Sequence, residues 1–209
     1  NSFLKIYEFV NVRRNERIKR NTQSVVVTKY LENPLLYKGH KNIIRVFLIV
    51  SANNEKINVW MVKEGVMINA ILPFVNGDYS NEKIHNTSVY EINDKGKSFP
   101  SVLDDMGISD IEKKKIIGDI EIIVKDISVN IGNMVRLYPE SECAYQIHSI
   151  DVIVDTNINT WFLELNRKPQ YDEYSDHIRR SILRNIFSGI MVNIVEPQYP
   201  GSVSDEIIR

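Results

Sequence analysis

Between Ser149 and Asn166 the chain writes a strand, a short loop and a second strand, and the alternation of residue types leaves little freedom in how they fold. The two runs are Ser149-Ile150-Asp151-Val152-Ile153-Val154-Asp155 and Thr160-Trp161-Phe162-Leu163-Glu164-Leu165-Asn166, both rich in β-branched and aromatic residues. With Thr156-Asn157-Ile158-Asn159 as a four-residue loop, Asp155 faces Thr160, Asp151 faces Glu164 and Ser149 faces Asn166. Side chains alternate between faces with period two, so Asp151, Glu164 and Asn166 share one face. The other face carries Val152, Val154, Trp161, Leu163 and Leu165; it is wholly apolar and is expected on the core side. Two carboxylates directly opposite each other repel. A shared proton relieves that repulsion, and so does a cation. Three hard oxygen donors on a rigid sheet suit magnesium, which favours octahedral oxygen ligands at about 2.0–2.1 Å. The third reading is a solvated polar face in a different register.

A second hairpin is expected earlier in the chain. Ile43 to Ser51 and Ile57 to Glu64 read as strands joined by the polar segment Ala52-Asn53-Asn54-Glu55-Lys56. Centring the loop on Asn54 sets Arg45 opposite Lys63. At about 5 Å and an effective dielectric of about 20, their repulsion is about 3 kcal/mol, and an anion between them reverses the sign. Phosphate is the natural anion, because arginine grips it with a planar fork; the plainer reading is two solvated surface cations. An acidic face and a cationic face in one chain suggest a nucleotide site. The sequence has neither GxxxxGK[ST] nor GxGxxG, so the phosphates would be held by sheet side chains rather than by a helix N-terminus.

The rest of the chain mixes strands and helices without strict alternation, which predicts an α+β fold with a largely antiparallel sheet. Val25 to Leu31 reads as a buried strand stopped by Asn33-Pro34. Gly77 to Ser101 is polar, with turn signals at Asn76-Gly77 and Lys95-Gly96, and is expected to be irregular. Ser109 and Glu112 have capping-box spacing, and Ile116, Ile120, Ile123, Ile127 and Ile131 behind them form an amphipathic stripe ended by Pro139. A last helix is expected from about Ser175 to Val192, with Ile178, Ile182, Ile186 and Ile190 inward. Both stripes read as core. Arg13 to Arg20 reads as a basic turn, and Phe3 to Val10 as a strand entered so abruptly that preceding sequence is expected. The net charge of -1 offers no basic footprint for nucleic acid. No apolar run approaches the roughly 20 residues of a membrane span. The single cysteine, Cys143, excludes an internal disulfide and a cysteine-rich zinc site and suits a reducing compartment.

Several of these segments resemble motifs of the tubulin tyrosine ligase-like family. Thr28-Lys29-Tyr30-Leu31-Glu32-Asn33-Pro34-Leu35-Leu36, then Gly39-His40-Lys41 and Arg45-Val46-Phe47, resembles its strand-to-hairpin signature. Lys63-Glu64-Gly65 is similar to its Arg-Glu-Gly, and His85-Asn86-Thr87-Ser88 to its His-Leu-Thr-Asn. Asp151 with Leu163-Glu164-Leu165-Asn166-Arg167-Lys168-Pro169 resembles its closing Asp and Leu-Glu-Val-Asn-x-x-Pro. Three positions depart from the pattern: Ile43 stands where Asp usually precedes Ile-Arg, Ser88 replaces Asn, and Lys63 replaces Arg.

The resemblance implies an ATP-grasp fold, of which this chain is the C-terminal portion. The family's N-terminal lysine strand and glycine-rich loop are expected before Asn1. It implies ATP and Mg2+ as cofactors. Adenine is expected near Thr28, Lys29 and Leu31, with Thr87 also at the nucleotide. Lys41, Arg45 and Lys63 are expected near phosphates or the acyl substrate, with Arg45, Lys63 and His85 as the catalytic set. Asp151, Glu164 and Asn166 match the family's magnesium ligands, in agreement with the hairpin count. The implied reaction phosphorylates a carboxylate with ATP, and an amine then attacks the acyl phosphate. Tyrosine, glutamate or glycine is the free amino acid, and the acceptor is a protein such as tubulin. No nucleic acid and no membrane is expected as a partner, and the expected location is cytoplasmic, with the cytoskeleton. Two alternatives remain: an inactive nucleotide- or cytoskeleton-binding module of the same fold, and an ATP-grasp ligase acting on a small peptide.

Overall fold

The computed structural model of the 209-residue chain describes residues 28–52, 57–62, 64–77, 79–87, 97–135, 144–171, 174–195 and 197. The chain divides into two compact units, Asn1–Glu32 and Asn33–Arg209. In the first, residues 28–31 are irregular, so that end of the expected strand is not one. Residues 25–27, the expected strand from Phe3 and the basic turn lie outside the described residues.

The second unit is organised by β2, His40–Ala52. Its core Ile43-Ile44-Arg45-Val46-Phe47-Leu48-Ile49-Val50 is a nearly unbroken apolar run, the pattern of a strand covered on both faces. The preceding strand β1, Leu36–Tyr37, reaches β2 through Lys38 and Gly39, which have φ of 52° and 81°. Two positive φ values suit the mirror-image turns that match strand twist, and Gly39 takes the larger one without a Cβ. The other strands are β3 Ile57–Met61, β4 Val66–Asn69, β5 Lys97–Ser98, β6 Ala144–Val154 and β7 Thr160–Asn166. Every described pairing is antiparallel, in the order β5-β4-β2-β6-β7, with β1 and β3 also on β2.

Helices cover both faces. Ile44, Val46, Leu48, Ile150, Val152 and Val154 pack against α2, Phe99–Asp105, and α3, Asp110–Val135. Ile43, Phe47, Ile49 and Ile68 pack against Ile182, Ile186 and Ile190 of α4, Asp176–Ile190. Helix α4 passes into a π-helical turn, Met191–Val195, rather than ending near residue 192. In α3, Ile116, Ile120 and Val124 are buried and Ile123 and Ile127 are partly so; the side chain of Ile131 lies outside the described residues. The segment expected to be irregular, Gly77 to Ser101, instead contains α1, Glu82–His85, then β5 and the start of α2. Asn81 caps α1 through the backbone N–H of Lys83, and proline sits in the first turn of α2, where its missing N–H does no harm. Polar composition hid both helices, because their inward residues, Ile84, Phe99, Val102 and Leu103, are few.

Candidate functional site

The acidic hairpin places its three donors as the alternation predicts, by a different route. Asp151 pairs with Glu164 and Ser149 with Asn166, yet Val154 rather than Asp155 pairs with Thr160. Asp155 has left the ladder to organise the loop. Its carboxylate accepts from the backbone N–H of Asn157 at 2.8 Å and of Asn159 at 2.9 Å, from Asn159 Nδ2 at 3.1 Å and from Trp161 Nε1 at 3.0 Å. Burial alone pushes this carboxyl up, but those donors together hold it below the usual value. The loop gains a residue, and a β-bulge at Leu163 restores the register before Glu164. Bulges commonly re-aim side chains beside functional sites. The bulge also corrects the expected core face. Trp161 pairs with Ile153, on the Asp151 side; it is 51% exposed and Leu163 is 48% exposed, whereas Val152 and Val154 are buried.

The cationic hairpin differs more. Leu48 pairs with Met61, β3 ends there, and Arg45 lies between Val66 on one side and Asp151 on the other. It is not opposite residue 63; Lys63 itself lies outside the described residues, as does Ser88. Arg45 Nε donates to Asp151 Oδ1 and Nη2 to Oδ2, both at 2.7 Å, a bidentate fork, and Nη1 donates to Tyr174 Oη at 3.3 Å. Arg45 is 7% exposed and Asp151 2%. Burial opposes the arginine's charge most, yet the Asp151 hydrogen bond and the nearby Tyr174 outweigh it, and the guanidinium pKa is raised. The compensation for the Asp151–Glu164 repulsion is therefore first of all an arginine.

Asn166 joins the carboxylates: its Nδ2 donates to Asp151 Oδ2 at 3.4 Å and to Glu164 Oε1 at 3.2 Å. Two carboxylate oxygens thus converge on one donor atom, as they would on a hard cation. Glu164 is exposed, Asp151 keeps one lone pair beyond the three bonds described, and Asn166 turned half a turn presents Oδ1 instead of nitrogen. Magnesium is usually held by one or two carboxylates and completed by phosphate and water. The donor set fits such an ion. Among the described residues no group of three His, Cys, Asp or Glu side chains has metal-ligand spacing, and the amide is the reason this trio is not of that kind.

A second cluster lies on the same strand. Lys41 Nζ donates to the His85 carbonyl at 3.0 Å, and burial lowers its pKa. The His85 ring meets Phe74 edge-on at 5.7 Å, and Thr87 is buried just beyond. Lys41 and Arg45 share a face of β2, about 13 Å apart at 3.3 Å per residue. Between them Ile43 is buried and pairs with Ile68. Glu64 turns to α4, accepting from Ser181 Oγ at 2.5 Å and Asn185 Nδ2 at 2.6 Å, beside a cavity of about 310 Å³. Thr28 and Lys29 are exposed and Leu31 is half-buried in the first unit. Sequence reasoning missed Tyr174, which no motif marks, and Asp155, whose Asp-Thr-Asn context is a turn signal that was available.

A model of the tubulin-tyrosine ligase family matches residues 5–201. Mouse tubulin polyglutamylase TTLL13 is 25% identical over 175 residues, covering 71% of this chain and 21% of its own. Tubulin polyglutamylase TTLL7 of Xenopus tropicalis is 21% identical over 206 residues, covering 84% of this chain and 22% of its own. Tubulin glycylase 3D of Tetrahymena thermophila is 24% identical over 188 residues, covering 82% and 18%. The chain spans about a fifth of the length of these relatives.

Proposed function

This chain belongs to the tubulin-tyrosine ligase family, and on that premise we propose that it supplies part of an ATP- and magnesium-dependent ligase joining tyrosine, glutamate or glycine to a protein acceptor, with tubulin the favoured acceptor. The names of its relatives, polyglutamylases and a glycylase of tubulin, support the acceptor and the bond class. The observation that carries the reading is the convergence of Asp151, Glu164 and Asn166 on one face, braced by Arg45. In the proposed reaction a carboxylate oxygen attacks the γ-phosphorus of ATP and ADP departs. An amine then attacks the acyl carbon, and inorganic phosphate departs with the amine's proton lost to solvent or a base. Bound magnesium would neutralise phosphate charge. Glu164 and Asn166 would hold that ion, Asp151 would orient them, and Lys41 would face phosphate along β2. Such sites act by positioning and charge neutralisation.

A second reading, a nucleotide-binding module without ligase activity, is favoured by one observation. Ile43, where the family usually has Asp, is sealed against Ile68, and all three nitrogens of Arg45 are engaged within the protein. One experiment addresses both readings. The full-length protein is melted with and without Mg-ATP and then incubated with Mg-ATP, tubulin and each labelled amino acid. At 100 times its dissociation constant the nucleotide should add about 2.7 kcal/mol of stability. Glu164→Gln should lose the magnesium-dependent part. Incorporation of label supports the ligase, and a magnesium-dependent shift without label supports the module. A shift indifferent to magnesium and to Glu164→Gln sinks the site.

A further inference from the structure

Eight residues after Asn166 the chain turns back over the sheet, and Tyr174 closes over the far side of Arg45. The Tyr174 backbone N–H donates to the Tyr171 carbonyl at 3.2 Å, so the two tyrosines sit on one turn that leads into α4. Both rings lean on Phe47 of β2, Tyr171 stacked at 5.5 Å and Tyr174 edge-on at 6.4 Å. Their hydroxyls differ. Tyr174 Oη receives Arg45 Nη1, whereas Tyr171 Oη is buried with no hydrogen-bond partner among the described residues.

We propose that Tyr174 is a positioning residue for the candidate metal site, holding Arg45 in its bidentate grip on Asp151 so that Glu164 and Asn166 present their oxygens outward. This rests on the reading given under Proposed function. Arg45 has a long side chain with four side-chain torsions, and two of its nitrogens are fixed on Asp151. With Nη1 also fixed, the guanidinium plane can neither roll off the carboxylate nor swing toward Glu164, the other carboxylate of the trio. Without that third contact Arg45 can share its charge with Glu164, and a cation arriving at Glu164 then competes with an arginine. The contiguous path is Tyr174 Oη, Arg45, Asp151, Asn166 Nδ2 and Glu164, every link a hydrogen bond of 3.4 Å or less. Arg45 ties three elements together in it: β2, β6 and the approach to α4. Outer-shell partners of metal ligands typically change metal affinity 10–100-fold when removed, and Tyr174 stands one step behind Arg45, so the lower end applies.

The two tyrosines supply their own control. Tyr174→Phe keeps the ring against Phe47 and deletes the hydroxyl that Arg45 Nη1 reaches. Tyr171→Phe keeps the stacked ring and deletes a hydroxyl with no hydrogen-bond partner among the described residues. In the full-length protein, Mg2+ is titrated at fixed ATP analogue and binding is followed by calorimetry. Tyr174→Phe should move the magnesium midpoint up about tenfold, and Tyr171→Phe should leave it within twofold. In the metal-free protein the Arg45 side-chain N–H signals, identified by their loss in Arg45→Lys, should broaden or shift in Tyr174→Phe and stay in place in Tyr171→Phe. Equal behaviour of the two variants in these signals overturns the proposal, as does an unmoved magnesium midpoint in Tyr174→Phe. If the wild-type protein binds no magnesium nucleotide, the proposed function falls, and the arginine signals alone still decide whether Tyr174 positions Arg45.

Discussion

At the residue scale the most exposed weakness is a histidine. His148 on β6 pairs with Leu48, is 2% exposed, and has no hydrogen-bond partner at either ring nitrogen among the described residues. Burial, then the nearby Arg167 charge, lowers its pKa below the ordinary 6.5. A buried neutral imidazole without partners is already unfavourable, and its protonated form would be a buried, unpaired cation. The sign follows from linkage. The folded pKa lies below the unfolded one, so below about 6.5 the unfolded chain binds more protons and folding loses stability. The loss starts as pH falls through about 6.5 and saturates below the folded value, with a slope of at most about 1.4 kcal/mol per pH unit for one proton. His148→Phe should remove this part of the slope between pH 7 and 5 and be neutral or stabilising at pH 7.5, because an unsatisfied polar group is replaced by an apolar one. Urea unfolding of both proteins across that range is the test; identical slopes would assign the acid sensitivity to other groups. Asp155 is the contrasting case, a buried carboxylate with four donors in place.

At the scale of elements, α3 shows how local chemistry fixes a boundary. Ser109 Oγ and backbone N–H both reach Glu112 Oε2, at 2.6 and 2.9 Å, and the Glu112 N–H returns to Ser109 Oγ at 3.4 Å. This reciprocal pair satisfies helix donors that would otherwise face only water. Ser109→Ala should cost about 1 kcal/mol and lower the melting temperature by roughly 2–4 °C, and Ser109→Gly should cost only a few tenths. Thermal unfolding that ranks the two the other way would place the start of α3 elsewhere. That boundary was legible in the sequence because it depends on residues three apart, and the isoleucine stripe behind it because it repeats at 3.6. The Asp151–Glu164 pairing was legible for a less secure reason. The extra loop residue, Asp155, and the bulge at Leu163 are two one-residue departures that cancel. The partner of Arg45 was not legible by counting along a hairpin, since Asp151 is 106 positions away and reaches it only through the β2–β6 pairing. A signal was present all the same. Arginine inside Ile43-Ile44-Arg45-Val46-Phe47 and aspartate inside Ile150-Asp151-Val152 are each a charge in an apolar run, and such charges are buried only when paired.

At the scale of the whole molecule, the layers dictate how that pair behaves. Helices α2 and α3 cover one face of β2 and β6 and α4 covers much of the other, so a charge on these central strands has little water to fall back on. Removing one partner leaves the other buried and uncompensated, which typically costs 3–5 kcal/mol. Arg45→Ala should therefore destabilise by about that much, a large part of the 5–15 kcal/mol that holds a domain together. Asp151→Asn should also destabilise, for although it relieves repulsion with Glu164 it strands the guanidinium. Replacing both, Arg45→Met with Asp151→Leu, should recover most of the loss, because a buried ion pair exchanged for well-packed apolar groups is often neutral in stability. The double variant should still bind no magnesium nucleotide if the proposed site is right. Denaturant unfolding of the wild-type protein, Arg45→Met, Asp151→Leu and the variant carrying both gives the coupling directly; singles that simply add would show Arg45 and Asp151 to be energetically independent despite their 2.7 Å fork. The same comparison governs how binding data on this chain are read. Lost nucleotide binding in Arg45→Ala or Asp151→Asn can come from a loosened sheet, whereas Glu164 is exposed and its substitution leaves the Arg45–Asp151 pair in place. Glu164→Gln should thus lose magnesium binding at unchanged unfolding free energy, and Arg45→Ala should lose both together.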